Sequence, residues 1–114
     1  MRSPITTHIL DTALGKPAEG VAISLAKQLS AGGFEEIASG KTNADGRIAD
    51  LMAPGSLTPG VYRMHFDTAG YFAQTGSPNF YPFVEVVFKI EAVDEHYHVP
   101  LLLNPFGYST YRGS

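Results

Sequence analysis

Val84-Glu85-Val86-Val87-Phe88-Lys89-Ile90 alternates with a period of two: Val84, Val86, Phe88 and Ile90 fall on one face of an extended chain, Glu85 and Lys89 on the other. Successive side chains of a strand point to opposite sides of its sheet, so this is the pattern of a strand with one face in a core and one in water. Outward from it, similar runs recur at Ile5 to Asp11, Val21 to Leu29, Phe34 to Thr42, Val61 to Phe66, His96 to Leu102 and Tyr108 to Gly113, with a minor one near Arg47. Gly, Pro, Asn and Asp punctuate the intervals. Seven to eight short strands at this spacing predict an all-β sandwich. Asp67-Thr68-Ala69-Gly70-Tyr71-Phe72-Ala73-Gln74-Thr75-Gly76 breaks the alternation, opening on a helix-capping residue type and closing on a glycine suited to a helix stop. It predicts one short helix, against which Gly70 counts at about 1 kcal/mol relative to alanine.

A length of 114 residues predicts a single domain over 1–114. Hydrophobic residues make up 44% and charged residues 17%, a balance that argues against disorder. The net charge of −3 argues against nucleic acid or an anionic membrane as partner, since either selects a basic face. No apolar stretch reaches the length of a membrane span, and the start runs into a strand pattern without an apolar signal segment. A cytoplasmic location is therefore expected. With no cysteine in the chain, disulfides, thiolate catalysis and cysteine metal sites are excluded.

Few residues are left to carry chemistry. His8 shares a strand face with Thr6 and Leu10, opposite Ile5, Thr7 and Ile9, and alternation alone does not say which face is core. His96 and His98, two apart, put both imidazoles on one face of their strand and Tyr97, Val99 and Leu101 on the other. Such a pair fits a solvated strand end; it also fits two ligands of a catalytic zinc, with His8 or Glu95 as a third. Arg47 leaves the turn Asn43-Ala44-Asp45-Gly46, whose Asp-Gly pair accepts the positive dihedrals of a hairpin. In the last strand Tyr108, Thr110, Arg112 and Ser114 share one parity, and Ser109, Tyr111 and Gly113 the other. Both parities reach one pocket only if the strand turns or a second subunit meets it, which points to an interface. Gly113 permits close backbone approach.

Four blocks carry a resemblance: Ile5-Thr6-Thr7-His8-Ile9-Leu10-Asp11 with Gly15-Lys16-Pro17-Ala18, Thr42-Asn43-Ala44-Asp45-Gly46-Arg47, His96-Tyr97-His98-Val99-Pro100-Leu101-Leu102, and the final Tyr111-Arg112-Gly113-Ser114. Together they resemble the 5-hydroxyisourate hydrolases, or transthyretin-related proteins, nearly from end to end. The last tetrapeptide separates those enzymes from transthyretin, a hormone carrier with the same fold. The resemblance implies a transthyretin-like (prealbumin-like) sandwich with one short helix, and a homotetramer, a dimer of dimers, whose sites lie in a channel between dimers. It implies hydrolysis of a ring amide of 5-hydroxyisourate at a site with His8, Arg47, His98 and Ser114 as catalytic residues and Tyr111, Arg112 and Gly113 binding substrate. His96 is left unassigned. No metal or organic cofactor is expected, because amide hydrolysis at neutral pH needs a base, a proton donor and cationic help for the oxyanion, which imidazoles and guanidinium groups supply. A carrier of small aromatic ligands is the competing reading.

Overall fold

The computed structural model describes residues 3–113, in the order β1 (Ile5–Asp11), β2 (Lys16–Pro17), β3 (Ala22–Gln28), β4 (Phe34–Lys41), β5 (Gly60–Phe66), α1 (Thr68–Thr75), β6 (Val84–Ile90), β7 (Tyr97–Asn104) and β8 (Gly107–Thr110). They form two four-stranded sheets, β2-β1-β7-β8 and β4-β3-β5-β6. All neighbours pair antiparallel except β1 and β7, which run parallel. The predicted sandwich is thus present, and its two-residue β2 is too short to leave a period in the sequence.

Its core is where the two alternating patterns meet. Ile5, Ile9, Leu101 and Leu103 from one sheet and Ile23, Leu25, Met64 and Phe66 from the other are at most 2% exposed and belong to one cluster. Each such side chain contributes roughly 1.5–3 kcal/mol on leaving water. In β6, Val84 and Ile90 are buried and Val86 and Phe88 pack partly against the core, while Glu85 and Lys89 are exposed. The expected face is therefore the inner one. Leu25 and Ala26 are consecutive yet both buried because a bulge shifts the register between them.

The predicted helix is α1, and its termini are built as its sequence asks. Asp67 caps it by accepting from the Gly70 N–H at 3.0 Å, and Gly76 ends it at φ +71°. A Cβ on Gly70 would stand 2.5 Å from the Asp67 carboxylate. The residue that weakened the helix prediction is what leaves room for its cap. Tyr71 then ties α1 to β1, its hydroxyl donating to the buried Asp11 carboxylate at 2.7 Å. Burial and that carboxylate push the Tyr71 pKa up. Among the described residues no helix is long and apolar enough to cross a membrane.

Two sequence expectations change. The minor strand near Arg47 is a single antiparallel bridge between His8 and Arg47. The last strand stops at Thr110 rather than running to Gly113, and the cause is Pro100. Leu101 pairs with Thr110, and in the same register His98 bridges Gly113. Hydrogen-bonded pairs recur every second residue in such a ladder, so after His98 and Gly113 the next would be Pro100 with Tyr111. Proline has no N–H to give. The Pro100 carbonyl instead accepts from the Thr110 hydroxyl at 2.7 Å, and the ladder resumes only where the Gly113 N–H donates to the His98 carbonyl at 2.8 Å.

Candidate active site

The parallel pairing of β1 with β7 sets Ile5 beside Tyr97, Thr6 beside His98 and Thr7 beside Val99. Aligned side chains share a face. Ile5, Thr7 and Ile9 therefore enter the core with Tyr97, Val99 and Leu101, and Thr6 and His8 are left on the outer face with His98. There Thr6 Oγ1 lies 2.8 Å from His98 Nδ1 and 2.9 Å from His96 Nε2.

A turn supplies the other wall. Asn43 Oδ1 accepts from the Asp45 and Arg47 N–H groups at 2.9 and 3.1 Å, and the Asn43 N–H donates to the Arg47 carbonyl at 2.8 Å. Gly46, at φ +73°, turns the chain so that its carbonyl accepts from Ile9 N–H at 2.9 Å. This docks the turn on the edge of β1 and sets Arg47 across from His8. The result is a groove lined by Thr6, Asn43, Asp45, Arg47, His96 and His98. Burial, then the neighbouring Arg47 charge, hold the His8 pKa below its ordinary 6.5, while a hydrogen bond to the Asp45 backbone and the Asp45 charge offset part of this. His8 is thus kept neutral at pH 7, able to accept a proton.

Gly113 packs against His98. A Cβ there would come within 2.5 Å of His98 Cδ2 and 3.2 Å of its Cγ, so only glycine lets the chain pass against the imidazole.

His8, Arg47, His98 and Gly113, dispersed in the sequence, thus come together. Arg112 is not among the residues of the groove. Its guanidinium lies 4.5 Å from the centre of the Tyr97 ring and its Nη2 donates to Glu95 Oε1 at 2.9 Å. Arg112 lines a second pocket with Tyr111, Val86 and Phe88, and His98 borders both this pocket and the groove. Thr110, Tyr111 and Arg112 all line this pocket, so past the end of β8 the two parities are not kept apart. Ser114 lies outside the described residues.

Thr6, His96, Asn43 and Asp45 line the groove without having been assigned to the site from sequence. Strand parity gave a signal for Thr6, which shares a face with His8, and for His96, two residues before His98. The alternative zinc arrangement is not assembled: Thr6 bridges the two imidazoles and Glu95 is turned to Arg112. Among the described residues no three His, Asp or Glu side chains group to hold a metal ion.

Fold and groove together define a transthyretin-type sandwich with an outward imidazole–guanidinium site on the sheet that pairs its first strand in parallel with its seventh. The chain belongs to the HIUase/Transthyretin family, whose sequence profile matches residues 5–113. It is 46% identical over 113 residues to the 5-hydroxyisourate hydrolase of Mus musculus, covering 98% of this chain and 96% of that one. It is 45% identical over 119 residues to that of Halalkalibacterium halodurans, covering 100% of both. Sea bream transthyretin in complex with thyroxine superposes with a TM-score of 0.93 at 38% identity, over 97% of this chain and 95% of the other. The 5-hydroxyisourate hydrolase of Klebsiella pneumoniae superposes with a TM-score of 0.83 at 39% identity, over 96% and 92%.

Proposed function

We propose that this protein hydrolyses 5-hydroxyisourate to 2-oxo-4-hydroxy-4-carboxy-5-ureidoimidazoline, a step of urate breakdown, with residues 1–114 as one transthyretin-like hydrolase domain. The observation that carries the reading is that Arg47 and His98 line one groove while His8 is bridged to Arg47. An imidazole takes a proton from water, and the resulting hydroxide attacks a ring carbonyl carbon. The Arg47 guanidinium faces the oxyanion so formed, with a planar fork suited to a carbonyl-rich purine derivative. The C–N bond then breaks as an imidazole protonates the leaving nitrogen. The depressed pKa of His8 keeps it in the neutral form that accepts a proton.

The decisive test is to generate hydroxyisourate in situ from urate with urate oxidase and follow its absorbance. Decay faster than the spontaneous rate is expected. Unchanged decay would overturn the reading in favour of a carrier of small aromatic ligands.

The pH dependence follows from the sign of the His8 shift. A base with a pKa below 6.5 loses activity only as pH falls through that lower value, so the acid limb of kcat/KM is expected below pH 6.5. Arg47→Met removes one cause of the depression and should move the limb upward, though only in part, because burial is the larger cause. Stability has the same direction: the unfolded chain binds this proton more readily, so the contribution of His8 is present above pH 6.5 and is lost on acidification. A limb above pH 6.5 would remove His8 from the base role.

Gly113→Ala is a local test of His98. The added methyl must displace the ring, and it does so on the outer face, away from the core. Hydroxyisourate turnover is expected to fall at least tenfold, given that a misplacement of about 1 Å can cost 10²-fold, while the unfolding midpoint hardly moves. Equal rates in mutant and parent would sever Gly113 from the site.

Binding of substrate by Tyr111 and Arg112, and catalysis by Ser114, belong to the same reading and require a homotetramer, a dimer of dimers. It is supported by the place of Tyr111 and Arg112, which line a pocket beside the groove rather than the groove itself. Val87 of β6 and Tyr108 of β8 are also exposed, as are Phe83 and Phe106 just before those strands. Light scattering at micromolar concentration is expected to give the tetramer mass, and an active monomer would contradict this. No cofactor enters the mechanism. A cytoplasmic site of action is proposed from the absence of cysteine.

A further inference from the structure

Thr6 presents one hydroxyl to two imidazoles, His98 Nδ1 at 2.8 Å and His96 Nε2 at 2.9 Å. A hydroxyl has one proton to give and lone pairs that accept, and a neutral imidazole has one N–H and one bare nitrogen. If Thr6 donates to His98 Nδ1, then His98 holds its proton on Nε2, and His96 satisfies the hydroxyl by donating from Nε2. If Thr6 donates to His96 Nε2, the roles reverse: His98 donates from Nδ1 and its Nε2 is the bare, basic nitrogen. With Nδ1 engaged on Thr6, proton exchange with a ligand falls to Nε2. The orientation of one hydroxyl thus distinguishes His98 the acid from His98 the base.

We propose that Thr6 is a positioning residue that locks the neutral tautomers of His96 and His98 into a complementary pair and so sets the chemistry of His98 Nε2. The proposal rests on the reading of His98 as part of the hydrolytic site, and it gives His96 a role: that of the imidazole which fixes the hydroxyl. Three features support a built arrangement. Thr6 is paired in register with His98, so its hydroxyl is carried by two hydrogen-bonded strands rather than a loop. Thr6, His96 and His98 are each half-buried. Threonine is also stiff about χ1, which favours one direction for the hydroxyl oxygen.

The test uses protein with 15N-labelled histidine rings and long-range proton–nitrogen NMR, at a pH where titration of the same spectra shows both rings neutral. In the parent protein one of the two nitrogens facing Thr6 is expected to carry a proton and the other to be bare. Two protonated or two bare nitrogens would overturn the lock. Thr6→Val, nearly equal in size but without the hydroxyl, should change the His98 tautomer populations, and Thr6→Ser should restore the parent pattern. An unchanged His98 tautomer in Thr6→Val would also overturn it. In turnover of hydroxyisourate, Thr6→Val is expected to lower kcat about 10- to 100-fold, the range for partners that orient a functional imidazole, with KM near that of the parent and most of the loss recovered in Thr6→Ser. A loss expressed in KM alone would count against positioning. The NMR measurement needs no substrate, so complementary tautomers in a protein that leaves hydroxyisourate untouched would refute the hydrolase reading and sustain the lock. Mixed tautomers in an active enzyme would do the reverse.

Discussion

His98→Asn and His8→Asn are each expected to lower hydroxyisourate turnover by about 10²-fold or more, the usual size of a general acid–base contribution. Asparagine keeps a polar, hydrogen-bonding side chain at half-buried positions on the outer face of the sheet, so the core cluster is not opened and melting temperature is expected to change little. His65→Asn is the control. That imidazole belongs to β5 in the other sheet, where its Nδ1 lies 3.0 Å from Glu85 Oε2 and its ring stacks on Phe83, so turnover should stay close to the parent rate. His96→Asn should fall between, since His96 is hydrogen-bonded to Thr6, which in turn touches His98. Parent rates in both His8→Asn and His98→Asn would show that the groove is not where the chemistry occurs.

Gly46→Ala is expected to be the most damaging methyl in the protein. At φ +73° an L-residue costs roughly 1–2 kcal/mol before any contact is counted. The new Cβ would also stand 2.4 Å from the Ile9 carbonyl oxygen, 3.2 Å from Pro17 Cβ and 3.4 Å from the Ala18 nitrogen. Two of those neighbours are backbone held in place, Ile9 O accepting from Ala18 N–H at 2.9 Å, so the clash cannot relax by a side-chain rotation. Overpacking of this kind adds about 1–3 kcal/mol. The movement that relieves it lifts the turn off β1 and takes Arg47 away from His8, so activity should fall together with the urea midpoint. Gly55→Ala separates the two causes: Gly55 has φ +77° but nothing within 4 Å of its Cβ, so it should show the backbone cost alone and leave turnover intact. Equal losses in the two variants would mean that the docked turn contributes nothing of its own.

Several parts of this architecture were legible in the chain. The β6 alternation named its inner face correctly, and Asp67 and Gly76 marked the ends of α1 to within a residue. His8, Arg47, His98 and Gly113 were picked out by motif and meet in space. Other parts were not legible for identifiable reasons. The end of β8 was read three residues too long because the interruption lies in its partner: Pro100 withholds a donor from a strand that itself contains no proline. The bridge at Arg47 looked like a strand because a turn docked on a sheet edge borrows strand composition over one residue.

The sequence by itself determined parity: which residues share a face, where the helix is capped, which turn needs glycine, and which polar side chains are available for chemistry. These are local properties, set by the two-residue period of a strand and by the dihedral freedom of single residues. Only the tertiary structure decided which parity is inside. β1 turns His8 outward, half-buried, and buries Ile9 because it lies parallel to β7 in a register that sets Thr6 against His98, 92 residues away. The same pairing brings one hydroxyl between two imidazoles. Alternation is unchanged when a strand is turned over or slipped by one residue, so no local pattern can choose between the two faces. The choice is made by the burial of Ile5, Ile9, Val99 and Leu101 in a common core, and the groove is what that burial leaves outside.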